Sequence, residues 1–100
     1  MPTLTGKQRR HLRSLGHHLE PVVQLGKQGL TEAAVSAVDE ALGQHELVKV
    51  RLGAEFPDER HEAADRLAAA VKGEAAQVLG RTILIYRRHP EEARIQLPAG

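Results

Sequence analysis

The chain has 100 residues, 41% of them apolar and 27% charged, and contains no cysteine. That length carries one compact domain with a modest core, and the missing thiols exclude disulfides, thiolate metal sites and a cysteine nucleophile. The net charge of +1 hides a segregation: residues 1–30 hold five Lys/Arg and one acid, 31–65 three and nine, and 66–100 six and three.

Residues 5–18 read as a helix capped by Thr5, with Leu12, Leu15 and Leu19 on one stripe. At about 100° per residue, Arg10 and Arg13 project away from that stripe and Lys7 and Arg9 flank it, so the helix offers four cations to solvent. "PVVQL", residues 21–25, is a short apolar run between a proline and a glycine and reads as a strand. Thr31 is a natural cap for a second helix, whose Val35, Val38 and Leu42 fall at helical spacing before a stop at Gly43. "ELVKVRL", 46–52, alternates: Val48, Val50 and Leu52 face one way, and Leu47, Lys49 and Arg51 face the other. A third helix opens at Pro57 and acidic residues, buries Ala64, Leu67, Ala68 and Val71, and ends at Gly73. "AQVLGRTILIYR" reads as two strands turning at Gly80-Arg81, and its all-apolar "ILIY" suits a strand covered on both faces. In the tail, "RIQL" is a candidate edge strand. The order helix-strand-helix-strand-helix-strand-strand predicts an α/β fold, a single small domain with a four-stranded mixed sheet and helices packed on it.

No apolar run approaches the roughly 18 residues of a membrane span, and no signal-peptide core precedes "TGKQRRHLR". The expectation is a soluble, cytoplasmic protein. If the two chain ends meet in the fold, the domain has a basic side and an acidic side, which suits a polyanion ligand and a plain solvated surface equally.

"GKQG", residues 26–29, lies between a strand and a helix. Glycine lets a ligand backbone approach main-chain N–H groups, the next helix N-terminus adds donors and a positive dipole end, and Lys27 adds a full charge. The string is too short for a mononucleotide P-loop and lacks the further Gly-x-Gly of a dinucleotide site. Alone the string is weak evidence, since it occurs often by chance and most such loops are simple turns. Six histidines include no pair at the i, i+4 spacing of a zinc protease, and adjacent His17 and His18 suit a helix end with one ring packed inward. Ser14 and Ser36 sit in helices without a glycine elbow, and the carboxylates lie at ordinary helix surface positions. No catalytic residue, metal or cofactor is expected. With only Phe56 and Tyr86 as aromatics, an RNA ligand would be held through phosphates, 2′-hydroxyls and arginine planes rather than stacked bases.

Four pieces, "LTGKQRRHLR", "VQLGKQGLT", "HELVKV" and "VLGRTILIYRR", occur in this order over about 95 residues. Together they closely resemble the CRM domain, the chloroplast RNA splicing and ribosome maturation domain, and are most similar to its stand-alone bacterial YhbY-like members. The resemblance implies one CRM domain over residues 1–100, with its core over about 4–97. It implies a fold similar to the C-terminal domain of translation initiation factor three, RNA as partner, and association with precursors of the large ribosomal subunit. The family's Gly-x-x-Gly loop, similar to that of KH domains, maps onto Gly26, Lys27, Gln28 and Gly29. Gly16 stands where members often have alanine, and Glu20 where they often have a basic residue.

The combined expectation is a monomeric, non-catalytic RNA-binding protein that assists large-subunit assembly. It contacts RNA through Gly26, Lys27, Gln28 and Gly29, with Lys7, Arg9, Arg10, Arg13, Lys49 and Arg51. The alternative is a protein-interaction module whose acidic middle segment binds a basic ribosomal protein.

Overall fold

The computed structural model describes residues 4–99. Its elements are α1 (Gly6–Gly16), β1 (Pro21–Leu25), α2 (Glu32–Gln44), β2 (Leu47–Leu52), α3 (Arg60–Val71), β3 (Glu74–Leu79) and β4 (Thr82–Tyr86). The strands form one mixed sheet in the order β1-β2-β4-β3. β1 runs parallel to β2, while β4 is antiparallel to both its neighbours. The unit β1–α2–β2 is therefore an adjacent parallel crossover, and β4 inserts between the ends of the second unit, β2–α3–β3. As its composition predicts, β4 is internal: Ile83, Leu84, Ile85 and Tyr86 are all buried.

The two sheet faces carry separate cores. Val48, Val50, Leu52, Ile83 and Ile85 pack beneath Val38 and Leu42 of α2 and Ala64, Leu67 and Val71 of α3. On the other face, Leu47, Leu84 and Tyr86 meet Leu4, Leu12 and Leu19 from the α1 region, with Ile95 and Leu97 of the tail. Each fully buried aliphatic side chain contributes about 1.5–3 kcal/mol, so the larger first cluster dominates the stability.

Several expectations need correction. α1 stops at Gly16, and His17 and His18 are both exposed, so neither ring packs inward. Its seam runs through Leu12 and Gly16, not through Leu15, which is 38% exposed. The cause is close approach: a Cβ on Gly16 would stand 2.8 Å from both terminal methyls of Leu84. Glycine lets the helix settle directly on the sheet and rolls Leu15 outward. Arg9 is not a free cation either. It is half-buried, and its Nη1 donates to Ala75 O at 2.6 Å, beside the bulge in outer strand β3. The guanidinium thus blocks part of an open strand edge.

α2 continues through Gly43 to Gln44. α3 starts at Arg60, later than Pro57, because Glu59 is the cap that accepts from the His61 and Glu62 amides. The His61 amide, then its side chain, then the Glu62 amide hold the Glu59 carboxyl down at about 2. α3 ends with Lys72 in the left-handed region at φ 57, not with Gly73. Gly73 is needed for space: a Cβ there would lie 2.9 Å from Tyr86 O.

"RIQL" forms no strand. The nearly buried Glu46 carboxylate captures the tail instead, accepting from His89 N at 2.8 Å, from Ile95 N at 2.7 Å and from Arg94 N. Backbone donors committed to a carboxylate cannot extend a ladder, so Ile95 and Leu97 pack as side chains on the sheet.

Candidate nucleic-acid interface

The "GKQG" segment closes as a β-turn at the carboxyl end of β1, with Gly29 N–H donating to Gly26 O at 3.0 Å. Its two glycines differ. Gly29 is buried at φ 75, and its missing Cβ faces Pro57 and Asp58, at 3.5 and 3.8 Å. Glycine is required there by backbone sterics, and the vacated space belongs to the neighbouring loop. Gly26 is exposed, has no positive φ, and an added Cβ would meet nothing within 4 Å. Nothing within the fold calls for glycine at this position. Lys27 and Gln28 form the exposed crest of the turn.

The turn leads into α2. Thr31 caps that helix, its side chain accepting from Ala34 N at 3.1 Å. The first-turn amides of a helix have no intrahelical acceptor and contribute a positive potential, opposed here by the exposed Glu32 in the first turn of α2. Gln24, Gly26, Lys27, Gln28, Gly29 and Thr31 line one open hollow of about 300 Å³. Asp58 adds a carboxylate behind Gly29, partly balanced by Arg66 at 3.6 Å.

Strand order gathers further cations at this end. Gln24 is the register partner of Arg51, so Arg51 lies two residues and one strand from Gly26. Gly53 N–H donates to Leu25 O at 2.7 Å and Leu52 N–H to Arg81 O at 2.6 Å, which ties the β3–β4 hairpin tip to the same end. Arg60 joins it by donating to Gly80 O at 3.0 Å. Sequence reasoning overlooked Arg60 and Arg81, because only the strand pairing brings them near residues so distant in the chain. Of the two expected strand cations, Arg51 is exposed and Lys49 half-buried. Lys7, Arg10 and Arg13 are exposed on α1, which lies on the same sheet face as Lys49 and Arg51. On the opposite face α2 displays Glu32, Asp39 and Glu40 and carries no Lys or Arg, whereas α3 exposes Arg60 and Arg66 beside Glu62 and Asp65. The charge contrast in the fold is therefore between basic α1 on one face and acidic α2 on the other.

The CRS1 / YhbY (CRM) domain family matches residues 4–87, which include the turn, the sheet and all three helices. The chain belongs to this CRM family. Among CRM-type relatives, a Bacillus subtilis protein named probable RNA-binding protein YqeI is 37% identical over 95 residues, 95% of this chain and 99% of its own length. A Haemophilus influenzae protein named RNA-binding protein is 39% identical over 98 residues, covering 98% of each chain. The solution structure of the hypothetical protein SAV1595 from Staphylococcus aureus superposes with a TM-score of 0.83 at 42% identity, over 96% of this chain and 100% of that one. The CRM fold of this chain is therefore also that of an experimentally solved relative. The segment beyond the CRM match, from residue 88, is the tail that Glu46 holds on the sheet.

Proposed function

We propose that this CRM protein is a cytoplasmic, monomeric, single-domain RNA-binding protein. In this reading it works on precursors of the large ribosomal subunit and acts by binding rather than catalysis. The GKQG turn receives a backbone phosphate, and Lys7, Arg10, Arg13, Lys49 and Arg51 extend the contact across the α1 side of the sheet. Arg9 supports the surface from its bond to Ala75. The observation that carries this reading is Gly26, a glycine with neither a positive φ nor a crowded Cβ, set at the open mouth of a hollow whose one charged lining residue is Lys27. Close approach by a ligand backbone accounts for it where internal packing does not. The similarity to proteins named as RNA-binding supports RNA as that ligand.

Salt dependence tests the reading. Binding to a large-subunit ribosomal RNA fragment is expected to weaken linearly in log affinity against log salt. Arg10→Ala with Arg13→Ala should flatten that slope by about 0.7–0.9 for each phosphate the variant no longer neutralises. Both side chains are exposed, so the melting midpoint should hold. An unchanged slope removes α1 from the RNA-binding surface.

The acidic surface of α2 favours a second reading, in which a basic ribosomal protein docks there. Binding of such a protein in RNA-free solution, abolished by Glu32→Lys with Glu40→Lys, is its distinguishing result.

A further inference from the structure

The α1 side of the sheet is covered unevenly. Its inner rows are shielded: Leu47 and Tyr86 lie under α1 and the tail, and Leu84 lies under Gly16. Cover ends one row short of the strand ends. Register places Gln24 beside Arg51, Arg51 beside Thr82, and Thr82 beside Leu79, so one row crosses β1, β2, β4 and β3 in turn. Alternation puts these side chains on the α1 face, since Leu25, Val50, Ile83 and Val78 pack on the other. Gln24 and Arg51 are exposed, Thr82 is half-buried, and Leu79 is the most exposed large apolar residue among those described, at 57%. Four strands at about 4.8 Å spacing make this track roughly 14 Å long.

We infer that this uncovered row, Gln24–Arg51–Thr82–Leu79, is a second contact surface that receives the bases and sugars of single-stranded RNA leaving the GKQG turn. The inference rests on the phosphate-binding reading of that turn and adds the class of RNA. Continuity argues for it: Gln24 lines the hollow over the turn and also begins the row. Charge argues likewise, because the row contains a guanidinium and no carboxylate. Each member supplies a contact suited to an unstacked nucleotide. The Gln24 amide can donate to and accept from a base edge, and Arg51 offers a planar cation for stacking or a phosphate. The Thr82 hydroxyl donates to Leu79 O at 2.7 Å, which leaves its lone pairs to accept from a ribose 2′-hydroxyl. Leu79 gives an apolar surface to a base face. A duplex still shows its 2′-hydroxyls and phosphates, but it has no unstacked base to lay on Leu79 or to offer its pairing edge to Gln24.

The test compares wild type with Gln24→Ala plus Leu79→Ala, titrated by fluorescence anisotropy against a mixed-sequence single-stranded RNA and a duplex of equal length. Wild type should prefer the single strand. The double variant should bind it about fivefold more weakly, with an unchanged salt slope because no charge is removed, and its affinity for the duplex should not change. Both side chains are exposed, so the melting curve should not move; Gln24→Ala alone, expected to weaken single-strand binding in the same direction, serves if Leu79→Ala lowers it. Equal single-strand affinities for wild type and both variants overturn the inference and leave the turn's role standing. So does a wild type that prefers the duplex. Absence of any salt-sensitive RNA binding by wild type overturns the reading of the turn itself.

Discussion

Lys27→Asp combined with Gln28→Asp should weaken binding to a large-subunit RNA fragment at least about tenfold, or 1.4 kcal/mol. The two side chains form the exposed crest of the turn, so the substitution sets two anions where a phosphate is to sit. Stability should barely change. The fold depends on Gly29 at this turn, through its positive φ and the bond from its N–H to Gly26 O, and neither involves the crest side chains. Titrations of both proteins, with melting curves as controls, measure the effect. Equal affinities with equal midpoints would reduce the segment to a turn.

Glu46→Ala should lower stability by about 2–3 kcal/mol. One nearly buried carboxylate satisfies the amides of His89, Arg94 and Ile95, and its removal leaves them without acceptors or frees the tail to hydrate them. In the second case Ile95 and Leu97 lose their seat on the sheet, so hydrogen exchange at residues 89–97 should accelerate. Glu46→Gln keeps one acceptor oxygen and should cost about half as much. Burial alone would push the Glu46 carboxyl up, but the three backbone hydrogen bonds and the neighbouring His89 outweigh it and leave it below its ordinary value of 4.5. A carboxyl depressed in the folded state adds stability that is complete above its unfolded value and is lost as pH falls through its folded value. Wild type should lose this part of its stability on acidification below about pH 4.5, and Glu46→Gln should not. Denaturant unfolding at neutral and acid pH separates the two. A variant with wild-type acid sensitivity would show that Glu46 does not anchor the tail.

Much of this architecture was readable from period and punctuation. Thr5 and Thr31 cap as their positions suggest, "LVKVRL" buries Val48, Val50 and Leu52, and "ILIY" is internal. What escaped depended on partners distant in the chain. Leu15 has the right helical spacing, but the seam of α1 is decided by how closely Gly16 can approach Leu84. Arg9 looks like any helix-surface cation until β3 brings Ala75 O within reach. "RIQL" has a strand's composition, yet a carboxylate almost fifty residues earlier takes its amides. The site followed the same pattern. The GKQG segment was visible, but its two glycines look alike in sequence, and only φ and Cβ surroundings separate the one the turn needs from the one it does not.

That separation offers the most direct test of the central claim. Gly26→Ala adds one methyl group to an exposed position with no neighbour within 4 Å and no positive φ. The fold should tolerate it, with a melting midpoint equal to wild type or slightly higher, because alanine restricts the unfolded chain. RNA affinity should fall about tenfold, since the methyl occupies the space through which a phosphate reaches the turn. Undiminished RNA affinity in a fully folded Gly26→Ala protein would contradict the claim that this glycine is kept open for the nucleic-acid backbone.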